Sequence, residues 1–244
     1  HYPQCKVVIT SREYAFLKNI ADLQAFNIYR VLPITYKQAE QILERIQKGK
    51  NLPIDSSKEI IRRLESVHGM DLNPLLVTVF AATSEYSRQD IPANITELFK
   101  KFTEMMLGRW DASKGLSQQY QAPLKDFVLT KVGFELHRRG TTQINLSEFR
   151  TIIESELKNR GHQANTGQLL DEILYRSGLF RIDNDIVEFR HLLLQEFFAG
   201  RGIPSKDYLE MFVCNEWWRR AIVFHFGENA GDSSAIDQVI KVVS

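Results

Sequence analysis

The sequence predicts a mainly α-helical protein in which the remnant of an α/β sheet precedes helical domains. Three observations support this fold class. A short apolar run, Val7–Ile9, lies near the start of the chain; apolar residues then recur at helical spacing; and the period changes to that of strands once, between residues 179 and 189. We expect a sheet remnant, a four-helix bundle, a domain of three helices with a hairpin, and the start of a helical array, over residues 1–33, 34–110, 111–202 and 203–244.

Composition and charge exclude several classes of protein. The 244 residues include 31 Lys and Arg against 30 Asp and Glu, a formal net charge of +1, so the basic excess typical of nucleic-acid-binding proteins is missing. Cys5 and Cys214 lack the spacing of a metal site or a disulfide framework, which indicates a reducing compartment. No apolar run approaches the roughly 18 residues of a membrane span. We therefore expect a cytoplasmic protein with neither a membrane nor a nucleic-acid partner.

The first segment predicts a buried strand followed by polar residues. Val7–Ile9 is typical of a parallel strand covered on both faces, and Thr10, Ser11 and Arg12 follow at its carboxyl end, where open α/β sheets bind their ligands. A second short strand is expected between Phe26 and Leu32. A parallel strand needs partners, and the chain contains neither G-x-x-x-x-G-K-[ST] nor G-x-G-x-x-G. We therefore interpret the chain as a fragment of a longer protein.

Four helices are predicted between residues 34 and 110, each from a start signal and an apolar stripe. Three of these signals are pairs with the spacing of a capping box or N-cap, and one is a proline suited to a first helical turn. They are Thr35 with Gln38, Ser56 with Glu59, Pro74, and Asn94 with Glu97. The third helix is nearly apolar all round, so we expect it at the centre of the bundle.

A polar stretch from Asp111 to Gln121 predicts a linker, after which a second helical set begins. Three helices are expected, ending near Gly140, near Gly161 and before Gly178. A hairpin follows, turning at residues 183–185, and a helix from His191 to Ala199 comes directly after it. Three helices and a hairpin are typical of a winged helix. Beyond it, Trp217-Trp218 and Val239–Val243 indicate the start of a helical array.

In this order the segments resemble the NACHT group of STAND NTPases, signalling ATPases related to the AAA+ family that include NOD-like receptors and bacterial antiphage proteins. Three motifs carry the resemblance, which covers nearly the whole chain. Val8 to Arg12 (Val-Ile-Thr-Ser-Arg) is similar to the sensor strand of the nucleotide domain, and Asn73 to Leu76 (Asn-Pro-Leu-Leu) to the proline motif of the first helical domain. Phe189 to Ala199 is similar to the winged-helix signature F-x-H-x-x-x-Q-E-F/Y-F-A.

The resemblance implies a nucleotide site made of Thr10, Ser11, Arg12, Pro74 and His191. Arg12 would sense the terminal phosphate, Pro74 would pack beside adenine, and His191 would bond the phosphates of ADP in a closed state. It also implies ATP or ADP with Mg²⁺ in the full-length protein, an upstream effector domain, a downstream sensor domain, homo-oligomers on activation, and a role in immune or antiphage defence. The Walker motifs lie outside the chain, so we expect no ATP hydrolysis by these 244 residues.

Simpler structural roles compete with each assignment. Arg12 can be a surface ion-pair partner, Pro74 only a helix-start residue, and His191 a helix cap. Gln195 and Glu196 are expected on a helix surface or at a domain interface, and His137 has no metal-ligand spacing. The alternative function is a winged-helix DNA-binding or adaptor module that uses no nucleotide. The mixed charge of residues 146–161 disfavours DNA, because a recognition helix is rich in exposed basic and polar residues.

Overall fold

In the computed structural model the chain divides into two compact units, His1–Leu32 and Pro33–Ser244. The residues that the structure describes are 6–10, 26–50, 60–62, 64–65, 72–84, 92, 94–109, 120–159, 161 and 165–228. Within them the protein is mainly helical and contains one small three-stranded antiparallel sheet. The mainly helical class predicted from the sequence is therefore confirmed.

In the first unit, the described residues 6–10 and 26–32 have no regular secondary structure. The apolar side chains of the predicted strand are exposed, with Val8 at 87% of its accessible surface. The strands predicted over Val7–Ile9 and over 26–32 are therefore wrong for these residues. A strand exists only through its ladder partners, and no described residue pairs with either segment, so local apolar character does not produce one.

Helices α1 (Tyr36–Lys50), α2 (Pro74–Ser84) and α3 (Ile95–Glu104) occur where the sequence predicts them, and α3 continues as a π-helical turn, Met105–Arg109. Residues 60–62 and 64–65 are also helical. The start signals act as expected. The Thr35 N–H donates to Gln38 Oε1 over 2.8 Å while the Gln38 N–H donates to Thr35 Oγ1 over 3.3 Å, which completes a capping box. The signal at Ser56 and Glu59 lies outside the described residues.

The second helical set alternates with short strands in the order α4 (Ala122–Arg138), β1 (Gln143–Asn145), α5 (Leu146–Asn159), α6 (Thr166–Asp171), β2 (Phe180–Asp183) and β3 (Ile186–Phe189). A π-helical turn, Glu172–Arg176, extends α6. The predicted hairpin is confirmed: Asn184 and Asp185 have φ of 48° and 63°, the left-handed conformation that a tight two-residue turn requires. Strand β1, which the sequence analysis did not predict, pairs antiparallel with β3, so the strand order is β1-β3-β2.

Helix α7 (Leu192–Arg201) is the central element of the second unit. Every residue from 192 to 200 is buried, because α4 packs on one side and α9 (Arg219–Glu228) on another. Helix α8 (Lys206–Phe212) and a 3₁₀ turn, Glu216–Trp218, connect α7 to α9. The rings of Phe99, Phe197 and Phe224 are in mutual contact and join α3, α7 and α9 in one core. The domain boundaries predicted at residues 110 and 202 stay predictions.

Candidate functional site

The signature segment Phe189–Ala199 spans the junction between β3 and α7. Phe189 ends the strand inside the core, and His191 is the N-cap of the helix, with an extended backbone at φ −137° and ψ 132°. The imidazole is exposed and forms no side-chain capping bond to the helix. Helix N-termini present backbone N–H groups and the positive end of the helix dipole, and an imidazole at that end adds a further donor. This arrangement suits an anionic ligand.

Pro74 is the first residue of α2 and is exposed. The side chain of Asn73 caps this helix, since its Oδ1 accepts the N–H of Leu76 over 3.0 Å. The helix-start role of Pro74 is therefore confirmed. The packing of Pro74 beside an adenine stays a prediction.

The three site residues at the start of the chain are only partly described. Thr10 is exposed and belongs to the first compact unit. Ser11 and Arg12 lie outside the described residues. The common nucleotide site that the resemblance implies for Thr10, Ser11, Arg12, Pro74 and His191 stays a prediction.

Gln195, one turn after His191, has a role that sequence reasoning did not identify. The side chain is fully buried, so its expected place on a helix surface is wrong, and its expected place at a domain interface stays a prediction. Its Nε2 donates to the carbonyl of Thr141 over 2.9 Å and lies 3.4 Å from His137 Nδ1. Gln195 thus fastens the first turns of α7 to the end of α4.

His137 and Trp217 form a reciprocal pair across the second unit. His137 Nε2 lies 2.9 Å from the carbonyl of Trp217, and the indole N–H of Trp217 donates to the carbonyl of His137 over 2.8 Å. The two rings stack with centroids 4.4 Å apart. Burial lowers the pKa of His137 from 6.5 to about 4, although the Trp217 carbonyl acts in the opposite direction. His137 is therefore neutral at physiological pH.

Two arginines attach further helices to α7. Arg201, at its end, donates two hydrogen bonds to the carboxylate of Asp126 on α4, over 2.6 and 2.9 Å, and its Nε lies 3.6 Å from Glu228 on α9. Arg220 on α9 lies 3.8 Å from the buried carboxylate of Glu196. The glutamate of the signature segment therefore lies at an interface between helices, like Gln195.

The described part of the chain contains neither a metal-ligand cluster nor a membrane-spanning helix. Within the described ranges, no group of three or more His, Cys, Asp or Glu side chains is arranged to hold a metal ion. No helix in that part of the chain is long and apolar enough to cross a membrane. Comparison with protein-family models, with curated proteins and with solved structures finds no match to this chain.

Proposed function

We propose that this chain is part of a nucleotide-dependent switch of the STAND class, in which the N-terminal end of α7 binds the phosphates of ADP through His191. The observation that carries the proposal is the position of His191, which is exposed at the N-cap of a helix whose next nine residues are buried. The order helix, strand, two helices and hairpin, leading directly into α7, supports a winged helix for residues 111–202.

The physical basis of the switch is a bond that exists in one state only. A donor on a buried helix is held rigidly, so a phosphate bound to His191 stabilises the arrangement of domains in which both partners meet. Bound ADP supplies the anionic oxygens for that contact, and Mg²⁺ accompanies the nucleotide in the longer protein. Pro74, Thr10, Ser11 and Arg12 complete the proposed site. Loss of the contact would release the open state and permit oligomerisation.

The proposed biological role follows from the same class. The longer protein would carry an effector domain upstream and a sensor domain downstream, act in the cytoplasm, and assemble into homo-oligomers during an immune or antiphage response. In this role the bound nucleotide would control the assembly of the homo-oligomer. ATP hydrolysis would require motifs outside this chain.

Charge in the helix-and-hairpin segment argues against the DNA-binding alternative. Exposed Arg150 and Lys158 on α5 flank Glu154 and Glu156. The guanidinium of Arg176 pairs with Asp171 on α6 at 3.0 Å. Neither helix presents the unopposed basic surface that phosphate contacts require.

The decisive experiment measures ADP dissociation and thermal stability of the full-length protein for the wild type, His191→Ala and His191→Asn. Asparagine is a good N-cap, so it preserves the helix end while removing the imidazole. A hydrogen bond to a charged group contributes on the order of 1.5–3 kcal/mol, so we expect both variants to release ADP roughly ten- to a hundredfold faster. Gln168→Ala, an exposed change on α6, should leave ADP release unchanged.

Two results would contradict the proposal in different ways. Unchanged ADP release by both His191 variants, with a lower melting temperature for His191→Ala only, would make His191 a structural cap. Failure of the wild type to bind ADP or ATP at all would reject the nucleotide switch itself.

A further inference from the structure

Three polar residues from separate parts of the second unit form one continuous chain of contacts. Trp217 lies in the 3₁₀ turn, His137 at the end of α4 and Gln195 in the first half of α7. His137 is 80 residues from Trp217 and 58 from Gln195 in sequence, and it contacts both. We propose that Gln195, His137 and Trp217 act as a relay through which the position of the C-terminal segment, residues 203–228, is coupled to α7.

The hydrogen-bond partners determine which tautomer of His137 the relay needs. A carbonyl oxygen only accepts, so the contact of Nε2 with the Trp217 carbonyl requires an N–H at Nε2. In the neutral ring Nδ1 is then an acceptor, and it faces the amide nitrogen of Gln195. The two hydrogen bonds therefore donate in the same direction. Gln195 on α7 donates to His137, and His137 donates to the carbonyl of Trp217 in the 3₁₀ turn.

The hydrogen bonds make this coupling depend on the orientation of the side chains, whereas the apolar packing around them does not. Apolar contacts of Phe134, Phe212 and Trp218 also hold the C-terminal segment, but such contacts tolerate small rotations. The relay tolerates less, because each bond requires a donor and an acceptor in line. A displacement of Trp217 breaks both its bonds to His137 and leaves the buried imidazole without its acceptor, which shifts the preferred arrangement of Gln195.

The helix geometry connects the relay to the end of α7 that carries His191. Residues four apart lie on the same face of a helix, one turn from each other, so Gln195 lies one turn from His191. An effect of the relay on ADP release rests on the proposed function of His191. The coupling between the C-terminal segment and α7 is independent of that proposed function.

A double-mutant cycle in the 244-residue chain tests the relay directly. Trp217→Phe removes the indole N–H that donates to the His137 carbonyl and leaves a smaller ring beside His137, and Gln195→Met removes the amide at similar volume. Unfolding equilibria in urea are measured for both single variants and the double variant. We expect the effects to depart from additivity by more than about twofold in the equilibrium constant, as residues of one network do. Additivity within that limit would overturn the relay.

A matched control separates the relay from packing. Phe212→Leu alters the same C-terminal segment, because Phe212 stacks on Trp218 at 3.7 Å, but the side chain of Phe212 is apolar and has no hydrogen bond to lose. Combined with Gln195→Met it should be additive within about twofold. A coupling as large as that of the Trp217 cycle would assign the effect to packing and overturn the relay. Nitrogen NMR of His137 gives a second readout, and a proton at Nδ1 in place of Nε2 would also overturn it.

ADP release from the full-length protein tests the connection to His191. Networks of this kind change the coupling between sites by an amount that corresponds to about two- to thirtyfold in a rate or affinity, so Trp217→Phe should change ADP release within that range. Unchanged release from a protein that does bind ADP would remove the connection while leaving the proposed function intact. If the wild type binds no ADP, the proposed function fails, and the double-mutant cycle alone tests whether the relay exists.

Discussion

Lys125 and Glu172 form a buried ion pair, with Lys125 Nζ 2.8 Å from Glu172 Oε2 and side chains only 1% and 5% exposed. Lys125 also donates to the carbonyl of Leu107 over 3.1 Å, in the π-helical turn that ends α3. The last carbonyls of a helix have no partner within it, so a buried cation at this position satisfies one of them. The pair therefore joins the end of α3, the start of α4 and the π-helical turn after α6.

Breaking this pair from one side is expected to be costly. Lys125→Met leaves the Glu172 carboxylate buried without its cation, and we expect the free energy of unfolding in urea to fall by about 3–5 kcal/mol. The double variant Lys125→Met and Glu172→Met leaves neither charge of this pair buried, so its loss of unfolding free energy should be smaller than that of Lys125→Met.

Lys100→Met is the matched control for this prediction. Lys100 pairs with Glu228 at 3.5 Å, but its side chain is about half exposed. Its removal should cost less than about 1 kcal/mol, because solvent screens the pair. Equal losses of unfolding free energy for Lys100→Met and Lys125→Met would show that burial does not raise the cost of breaking the Lys125–Glu172 pair.

The buried imidazole of His137 predicts a specific dependence of stability on pH. Its pKa is lowered from 6.5 to about 4 in the folded protein, so the unfolded chain takes up a proton first as the pH falls. The contribution of His137 to the free energy of unfolding should be constant above pH 6.5, fall as the pH decreases from 6.5 to about 4, and be constant again below pH 4. Each tenfold change in acidity corresponds to about 1.4 kcal/mol, so the total loss is about 3 kcal/mol.

The contribution of His137 is isolated by comparison with His137→Gln. Glutamine has no titration in this range and retains a donor for the Trp217 carbonyl. The difference between the urea unfolding free energies of the wild type and the variant should therefore change with pH between 6.5 and 4. A constant difference across that interval would show that His137 is not buried in its neutral form.

The close approach of α7 and α9 predicts a large effect of one methyl group. A Cβ at Gly200 would lie 2.1 Å from the carbonyl oxygen of Ala221, so Gly200→Ala must separate the helices and should lower the unfolding free energy by about 1–3 kcal/mol or more. In Gly49→Ala, near the end of α1, the new methyl meets nothing within 4 Å and should stabilise by up to about 1 kcal/mol. Thermal unfolding that ranks the two variants equally would contradict this packing.

The elements that the sequence predicted correctly depend on neighbours along the chain. Pro74 begins α2, Asn94 accepts the N–H of Glu97 over 3.0 Å, and Gly140 ends the helical hydrogen bonding after α4 with φ 67°. Each of these signals acts within four residues, since caps, helical periods and tight turns are local. The same holds for the hairpin turn at Asn184 and Asp185. Local chemistry was sufficient for these elements.

The strand predictions failed or fell short for the opposite reason. Val7–Ile9 has the composition of a buried strand, but it is exposed and unpaired within the described part of the chain. Gln143–Asn145 has only one apolar residue, and it becomes strand β1 because β3 pairs with it. Strand formation requires a partner, which is distant in sequence, and a three-residue segment carries too little pattern to indicate one.

By itself the sequence determined that this protein is mainly helical, where several of the described helices begin or end, and that a hairpin precedes the helix bearing His191. The tertiary structure decided the rest: the burial of Gln195, the ion pair of Lys125 with Glu172, and the contact of His137 with Trp217. These side chains are polar, and polarity predicts the surface unless a partner is known. Their partners come from other segments of the chain, so only the packing of α4, α6, α7 and the 3₁₀ turn brings donor and acceptor together.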